Sequence, residues 1–202
     1  KEAEDIDKHG IPTLRIFRGI HIEVRGSGPV VPQLKMAADC MEALGLERGD
    51  YVVRINNRKI MDALLIAIGL DPEAEDYETT RLTILRAMDK FDRLGLDAVK
   101  ALLGDGRKDE SGDFTKGANL TPAQIDKVAH MVCIEASDRT QALDAMAELV
   151  GDTDIGQQGL GELRDMADLF STLGYGEDRL AIDPSIVRGL GYYTGPVYEI
   201  EL

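Results

Sequence analysis

The strongest constraint on this chain is a change of period. From about Tyr77 to Gly174 apolar residues recur at helix spacing, whereas the segments before and after alternate as strands do. Helices that pack on one another between two strand-bearing segments read as a small bundle inserted into a sheet-based unit, an α+β arrangement. The breaks fall near Asp71-Pro72 with its following acidic run, and near Asp183-Pro184. The expected division is 1–74, 75–179 and 180–202, the middle part being the helical insertion.

The first part holds several elements. Thr13 to Phe17 and Ile20 to Arg25 are rich in β-branched residues and read as short strands joined at Arg18-Gly19. Gln33 to Leu46 reads as a helix with Leu34, Ala37, Ala38, Met41 and Leu44 or Gly45 on one face. Tyr51 to Asn56 alternates as a strand, Asn57-Arg58 reads as a turn, and Lys59 to Leu70 as a helix with Ile60, Leu64 and Ile68 inward.

In the helical part, Leu82, Ile84, Leu85, Met88 and Phe91 or Asp92 form a stripe. Thr121-Pro122-Ala123-Gln124 is a capping box with proline at the first helical position, followed by Ile125, Val128, Ala129 and Val132. Leu160, Leu163, Met166, Ala167 and Phe170 mark a last helix that ends near Gly174. Gly104 to Asn119 reads as a polar loop. After Asp183 the pattern returns to a strand with Tyr198, Ile200 and Leu202 on its apolar face, and this alternation to the last residue is expected of a piece of something longer.

Charge and cysteine usage narrow the class. Lys plus Arg number 23 against 37 Asp plus Glu, a net charge of −14, which opposes non-specific attraction to a polyanion. Any contact with nucleic acid must be local, and Arg107, Lys108 and Lys116 are the candidates, although a solvated loop accounts for them equally. No apolar run reaches the roughly 20 residues that cross a bilayer, and the acidic start is unlike a secretory signal. Cys40 and Cys133 lie far apart without a histidine at metal spacing, so they are expected to be buried thiols in a reducing cytoplasm. His9, His21 and His130 form no ligand or base arrangement, and no metal ligands are assigned.

The functional signal lies in Arg188-Gly189-Leu190-Gly191-Tyr192-Tyr193-Thr194-Gly195. Glycines permit close approach of backbone to a ligand, arginine offers a fixed cation with a donor fork, and tyrosines supply an apolar wall with a polar tip. Taken alone, these residues also fit a glycine-bent hairpin with tyrosines in the core. The longer string LAIDPSIVRGLGYYTGPVYE, however, closely resembles the second histidine-specific motif of histidyl-tRNA synthetases. DYVVRINNRKIMDALL resembles the catalytic sheet beyond motif 2 in that family, and LRAMDKFDRLGLDAVKALLG resembles the start of its helical insertion.

The resemblance implies part of a class II antiparallel-sheet catalytic core with an inserted, mostly helical domain. It implies ATP with Mg as the substrate complex, histidine and its tRNA as further partners, and a homodimer for the complete enzyme. Arg188 falls on the catalytic, histidine-binding arginine and Tyr192 and Tyr193 on the histidine-pocket tyrosines, with Gly189, Gly191, Thr194 and Gly195 as pocket backbone. Many members carry Asp where this chain has Gly191, which removes a polar group from the pocket edge. Motifs 1, 2 and 3 are not recognisable, so the 202 residues alone are expected to lack efficient activity. Two alternatives stay open: a histidine-binding regulatory subunit of ATP phosphoribosyltransferase, and a non-catalytic interaction module.

Overall fold

A computed structural model describes residues 5–6, 12–13, 30–109, 112–187 and 194–202. In chain order the elements are β1 (Asp5–Ile6), β2 (Pro12–Thr13), α1 (Val30–Ala43), β3 (Val52–Asn57), α2 (Arg58–Ala67), α3 (Tyr77–Met88), α4 (Phe91–Leu94) and α5 (Leu96–Leu103). They continue with β4 (Gly106–Lys108), β5 (Phe114–Lys116), α6 (Pro122–Val132), α7 (Arg139–Val150), α8 (Asp154–Thr172), β6 (Leu180–Ile182) and β7 (Pro196–Glu201). Of the strands expected between Thr13 and Arg25, only Thr13 lies within the described residues, where it pairs with Asp5.

The strands from the two ends of the sequence meet as expected. A three-stranded sheet has the order β6-β3-β7, so a strand from the first part is flanked by two from the last. β3 runs parallel to β6 in the register Val53↔Leu180 and antiparallel to β7 in the register Val53↔Ile200. Val53, Ile55, Leu180, Ile182 and Ile200 are buried and join α1, α2 and α8 in one apolar cluster. Ile200 is buried and Tyr198 packs against the core as expected, but Leu202 is exposed and Val197 is buried as well, which corrects the expected face at those two positions. Val197 faces Asn56 across the ladder, whereas Leu202 lies past the end of it.

Helix α8 packs closely along α2. A Cβ on Gly159 would lie 3.0 Å from both Ile60 Cδ1 and Lys59 Cβ, so glycine sets how near the two helices come. Beside this contact Glu162 accepts hydrogen bonds from Lys59 Nζ at 2.5 Å and Asn57 Nδ2 at 2.6 Å. The apolar stripe Leu160, Leu163, Met166, Ala167 and Phe170 is buried throughout, as its spacing predicts. Thr121 and Gln124 form both bonds of the expected capping box, with Pro122 opening α6. Helices α5 and α7 lacked a distinct sequence signal.

Four local expectations are corrected. Residues 104–119 are not a plain loop: Gly106 to Lys108 pairs with Phe114 to Lys116 as a hairpin. Its base is tight, since a Cβ on Gly117 would lie 2.1 Å from the Gly104 carbonyl oxygen. Helix α1 ends at Ala43, so Leu44 enters a turn and is exposed. Cys40 and Cys133 are exposed free thiols, one on the outer side of α1 and one at the end of α6, and neither is a core residue. Asn57-Arg58 makes no turn; Asn57 ends β3 and caps α2 by accepting a hydrogen bond from the Lys59 N–H. Among the described residues, no helix is long and apolar enough to cross a membrane.

Buried arginines fasten the helices to the sheet. Arg139 opens α7 and donates to the carbonyls of Tyr175, Gly176 and Leu180 at 2.6 to 2.9 Å, with its guanidinium 5.4 Å from the Phe170 ring centre. Burial pushes its pKa down. Arg179 stacks on the Tyr175 ring at 4.0 Å, donates to Asp39 at 3.2 Å and pairs with Glu42 at 2.8 Å. It thereby ties α1 to the start of β6.

Replacing Arg139 by methionine takes the donor from the Tyr175 and Leu180 carbonyls, while the Gly176 carbonyl keeps the N–H groups of Arg179 and Leu180. Each buried acceptor left without a partner costs about 1–3 kcal/mol. Arg139→Met is therefore expected to lower the free energy of urea unfolding by about 3 kcal/mol. A loss under about 1 kcal/mol would mean that those carbonyls find other donors.

The Glu162 contact gives a pH-dependent prediction. Burial alone would raise this carboxyl, but the hydrogen bonds from Lys59 and Asn57 and the Lys59 charge outweigh it and hold the group below its usual range. Such a group binds fewer protons folded than unfolded. Its stabilisation is present above the ordinary value of about 4.3 and is lost as pH falls through the lower folded value. The stability advantage of wild type over Glu162→Gln is expected at neutral pH and should shrink through that acid window. Urea titrations of both proteins over the range test this, and a constant difference would contradict it.

Candidate functional site

The alternation of β3 breaks at its end: Asn56, Asn57 and the helix-opening Arg58 follow one another and all three are buried. Polar groups taken out of water need partners, and these find them mainly in the backbone on either side of residues 188–193. Asn56 Nδ2 donates to the carbonyls of Pro184 at 3.1 Å and Ile186 at 3.0 Å, while Asn56 Oδ1 accepts from the Asn57 N–H at 2.8 Å. Arg58 Nη1 donates to the Val187 carbonyl at 3.1 Å, and the Arg58 N–H donates to the Gly195 carbonyl at 2.9 Å. One corner of the sheet thus holds both flanks of the motif.

A second set of contacts shapes the incoming flank. The Asp183 N–H donates to Ile55 O at 2.9 Å, extending the parallel pairing of β6 with β3. Asp183 Oδ1 accepts from the Ser185 N–H at 2.8 Å and Asp183 O from the Ile186 N–H at 3.3 Å, forming a local turn. Asp183 Oδ2 accepts from Arg54 Nη1 at 2.6 Å, and Arg54 also pairs with Glu201 on β7. Arg54 therefore bridges the two strands that border β3, which turns Glu201 into a structural partner.

Arg58 is unusual in its surroundings. Its side chain is 1% exposed, yet Nε and Nη2 have no hydrogen-bond partner among the described residues. Burial, and then the charge of Arg81, lower its pKa, with Asp62 and Glu78 acting in the opposite sense. Those carboxylates are engaged by Arg81, at 2.9 Å for Asp62 and 3.6 Å for Glu78. Tyr198, on β7 opposite Ile55, has a buried hydroxyl that likewise lacks a partner among the described residues, and burial pushes its pKa up.

Of the site residues expected from sequence, Arg188, Gly189, Gly191, Tyr192 and Tyr193 lie outside the described residues. Thr194 is exposed and Gly195 half-buried at the outgoing flank. Lys108 and Lys116 are exposed on the β4–β5 hairpin, and Arg107, directly before Lys108, is partly covered. Lys116 also borders a cleft of 490 Å³ with Asp71, Asp76, Tyr77, Thr80 and Asn119, none of which belongs to the Asn56–Arg58 corner. Sequence reading missed that corner by treating Asn57-Arg58 as a turn. The available signal was three polar residues directly between an apolar strand and an amphipathic helix.

A family model described as histidyl-tRNA synthetase matches residues 26–200. A histidine–tRNA ligase from Jannaschia sp. is 54% identical over 167 residues, covering 83% of this chain and 33% of the relative. The corresponding protein of Rhizobium meliloti is 48% identical over 199 residues, covering 97% of this chain and 39% of the relative. The chain thus spans about a third to two fifths of the length of the curated relatives it matches. Among solved structures, histidyl-tRNA synthetase from Nostoc sp. PCC 7120 aligns with a TM-score of 0.68 and 26% identity over 88% of this chain and 38% of that one. An ATP phosphoribosyltransferase regulatory subunit/histidyl-tRNA synthetase from Bacillus halodurans shares the fold, with a TM-score of 0.58 and 19% identity over 87% of this chain and 40% of that one.

Proposed function

Because the chain belongs to the histidyl-tRNA synthetase family, we propose that the protein activates histidine with ATP and transfers the histidyl group to the terminal adenosine of its tRNA. The match across residues 26–200 carries this reading, since it takes in both the Asn56–Arg58 corner and the motif that the corner flanks. The division into 1–74, 75–179 and 180–202 belongs to the same proposal, with the middle part as the inserted domain. A homodimer in the cytoplasm is the proposed setting.

Activation joins two anions. A histidine carboxylate oxygen attacks the α-phosphorus of the ATP–magnesium complex, a new P–O bond forms, and the bond to pyrophosphate breaks. Negative charge grows on the α-phosphate oxygens as this happens, and a fixed guanidinium placed there stabilises the transition state more than the ground state. Arg188 has that role in this reading. Tyr192 and Tyr193 bound the imidazole, one phenol oxygen pairing with a ring nitrogen, while Gly189, Gly191, Thr194 and Gly195 supply the backbone around them. Selection by a buried polar pair is strong because an analogue lacking the nitrogen leaves its partner unsatisfied. In the second step a hydroxyl of the terminal ribose attacks the acyl carbon and AMP leaves.

The tRNA contact is assigned to Arg107, Lys108 and Lys116. Two of these project from a hairpin rather than a loop, which holds them at a defined spacing. Their charge stands out on a chain of net −14, so the interaction is expected to be confined to that element.

Histidine-dependent exchange of pyrophosphate into ATP, measured on the full-length protein, separates the ligase from a regulatory subunit or an interaction module. Arg188→Ala should reduce that exchange by about two to three decades, the scale for loss of one transition-state donor. A loss below about twofold removes Arg188 from the mechanism. Tyr193→Phe should raise the histidine KM by about tenfold, the cost of one neutral hydrogen bond, and an unchanged KM would remove the phenol from recognition.

A further inference from the structure

The Asn56–Arg58 corner has a composition that stability alone does not explain. A guanidinium removed from water is costly unless its donors are satisfied and its charge is paired. Arg58 meets neither condition fully: Nη1 has the Val187 carbonyl, Nε and Nη2 have no partner among the described residues, and the nearby carboxylates Asp62 and Glu78 bond Arg81 instead. An apolar side chain of similar length would fill the same volume without those unmet donors. A buried group kept in such a state is a candidate for a positioning role.

The geometry points to what is positioned. We propose that Asn56 and Arg58 act as a two-sided clamp that fixes the take-off points of residues 188–193, and thereby sets the placement of the reacting arginine. Asn56 holds the carbonyls of Pro184 and Ile186 and Arg58 holds that of Val187, so three of the four residues before Arg188 are pinned through their backbones. On the far side the Arg58 N–H holds Gly195, two residues beyond Tyr193. Because Asn56 and Arg58 are separated only by Asn57, the two flanks are referenced to one rigid strand–helix junction. Glu162 steadies that junction from α8 through Asn57 and Lys59.

The clamp serves the ligase reading given above and rests on it for the identity of the placed group. Neither residue touches substrate in this proposal; both act through the backbone that carries Arg188. The consequence for catalysis is specific. A misplacement of about 1 Å lowers the rate of a positioned reaction by about 100-fold, while contacts that only bind the ground state change much less.

The test uses the full-length protein with two variants and three readouts: pyrophosphate exchange, thermal midpoint, and hydrogen exchange of the 183–196 segment. Arg58→Met should leave the midpoint within about 2 °C of wild type or raise it, yet lower kcat for exchange by about tenfold or more with histidine and ATP KM within about threefold. Asn56→Asp places a carboxylate against two carbonyl oxygens. It should lower kcat similarly and speed exchange of the Ser185 and Ile186 amides, whose bonds to Asp183 form the turn that Asn56 holds, by about tenfold.

Unchanged kcat in folded Arg58→Met overturns the clamp. So does failure of that variant to fold, because Arg58 is then a fold stabiliser. If wild type shows no histidine-dependent exchange, the ligase reading fails instead, and the hydrogen-exchange result for Asn56→Asp judges the clamp independently. Unaltered Ser185 and Ile186 exchange in that variant then overturns it. Should Asn56→Asp not fold, the midpoint and kcat of Arg58→Met decide.

Discussion

The central strand of a small mixed sheet must satisfy its polar end somewhere, and in this molecule that requirement organises the rest. β3 is the only described strand hydrogen-bonded on both sides by strands from the far end of the sequence. Its apolar part needs only a core, which α1, α2 and α8 provide. Its last residues, Asn56 and Asn57, and the helix-opening Arg58 carry buried donors that draw acceptors from elsewhere in the chain. The acceptors come from residues 184–187 and 195, more than a hundred positions away, and from Glu162 on α8. β3, the long helix and both flanks of residues 188–193 are thus gathered at one junction.

Arginine does much of the joining elsewhere. Aromatic residues make up only 5% of the chain and tryptophan is absent. Arg54, Arg81, Arg139 and Arg179 reach across element boundaries to carboxylates and carbonyls. Their planar donor forks suit this use better than lysine would. One effect is on the surface: cations engaged internally are not free to attract a polyanion. The exposed charge of the β4–β5 hairpin therefore stands against an acidic background, which favours contact at one element over a broad basic face.

Much of the architecture was legible because it depends on periodicity and local chemistry. The Leu160 to Phe170 stripe, the Thr121–Gln124 capping box and the alternation of Tyr51 to Asn56 each state their element within a few residues. The pairing of 106–108 with 114–116 was not legible, since three-residue strands carry no usable alternation and the sequence between them is simply polar. The exposure of Cys40 and Cys133 escaped for another reason: burial of a thiol depends on which face of its helix meets the core. Arg58 is the most instructive miss. Asn-Arg before a helix has the composition of a turn, and only the return of residues 184–187 to that spot makes its burial possible.

The same long-range return explains how the helical stretch can act on the motif through its flanks. Gly159 lets α8 approach α2 closely, and this closeness lets Glu162 reach both Asn57 and Lys59. Asn57 in turn lies between the two residues that hold the motif's flanks. A shift of α8 along its axis would have to break the Glu162 bonds or carry the strand–helix junction with it, because packed interiors transmit displacement rather than absorb it. Substitutions on the buried face of α8 near Gly159 should therefore couple to those at Asn56 in a double-mutant cycle, whereas substitutions on its exposed face should add independently.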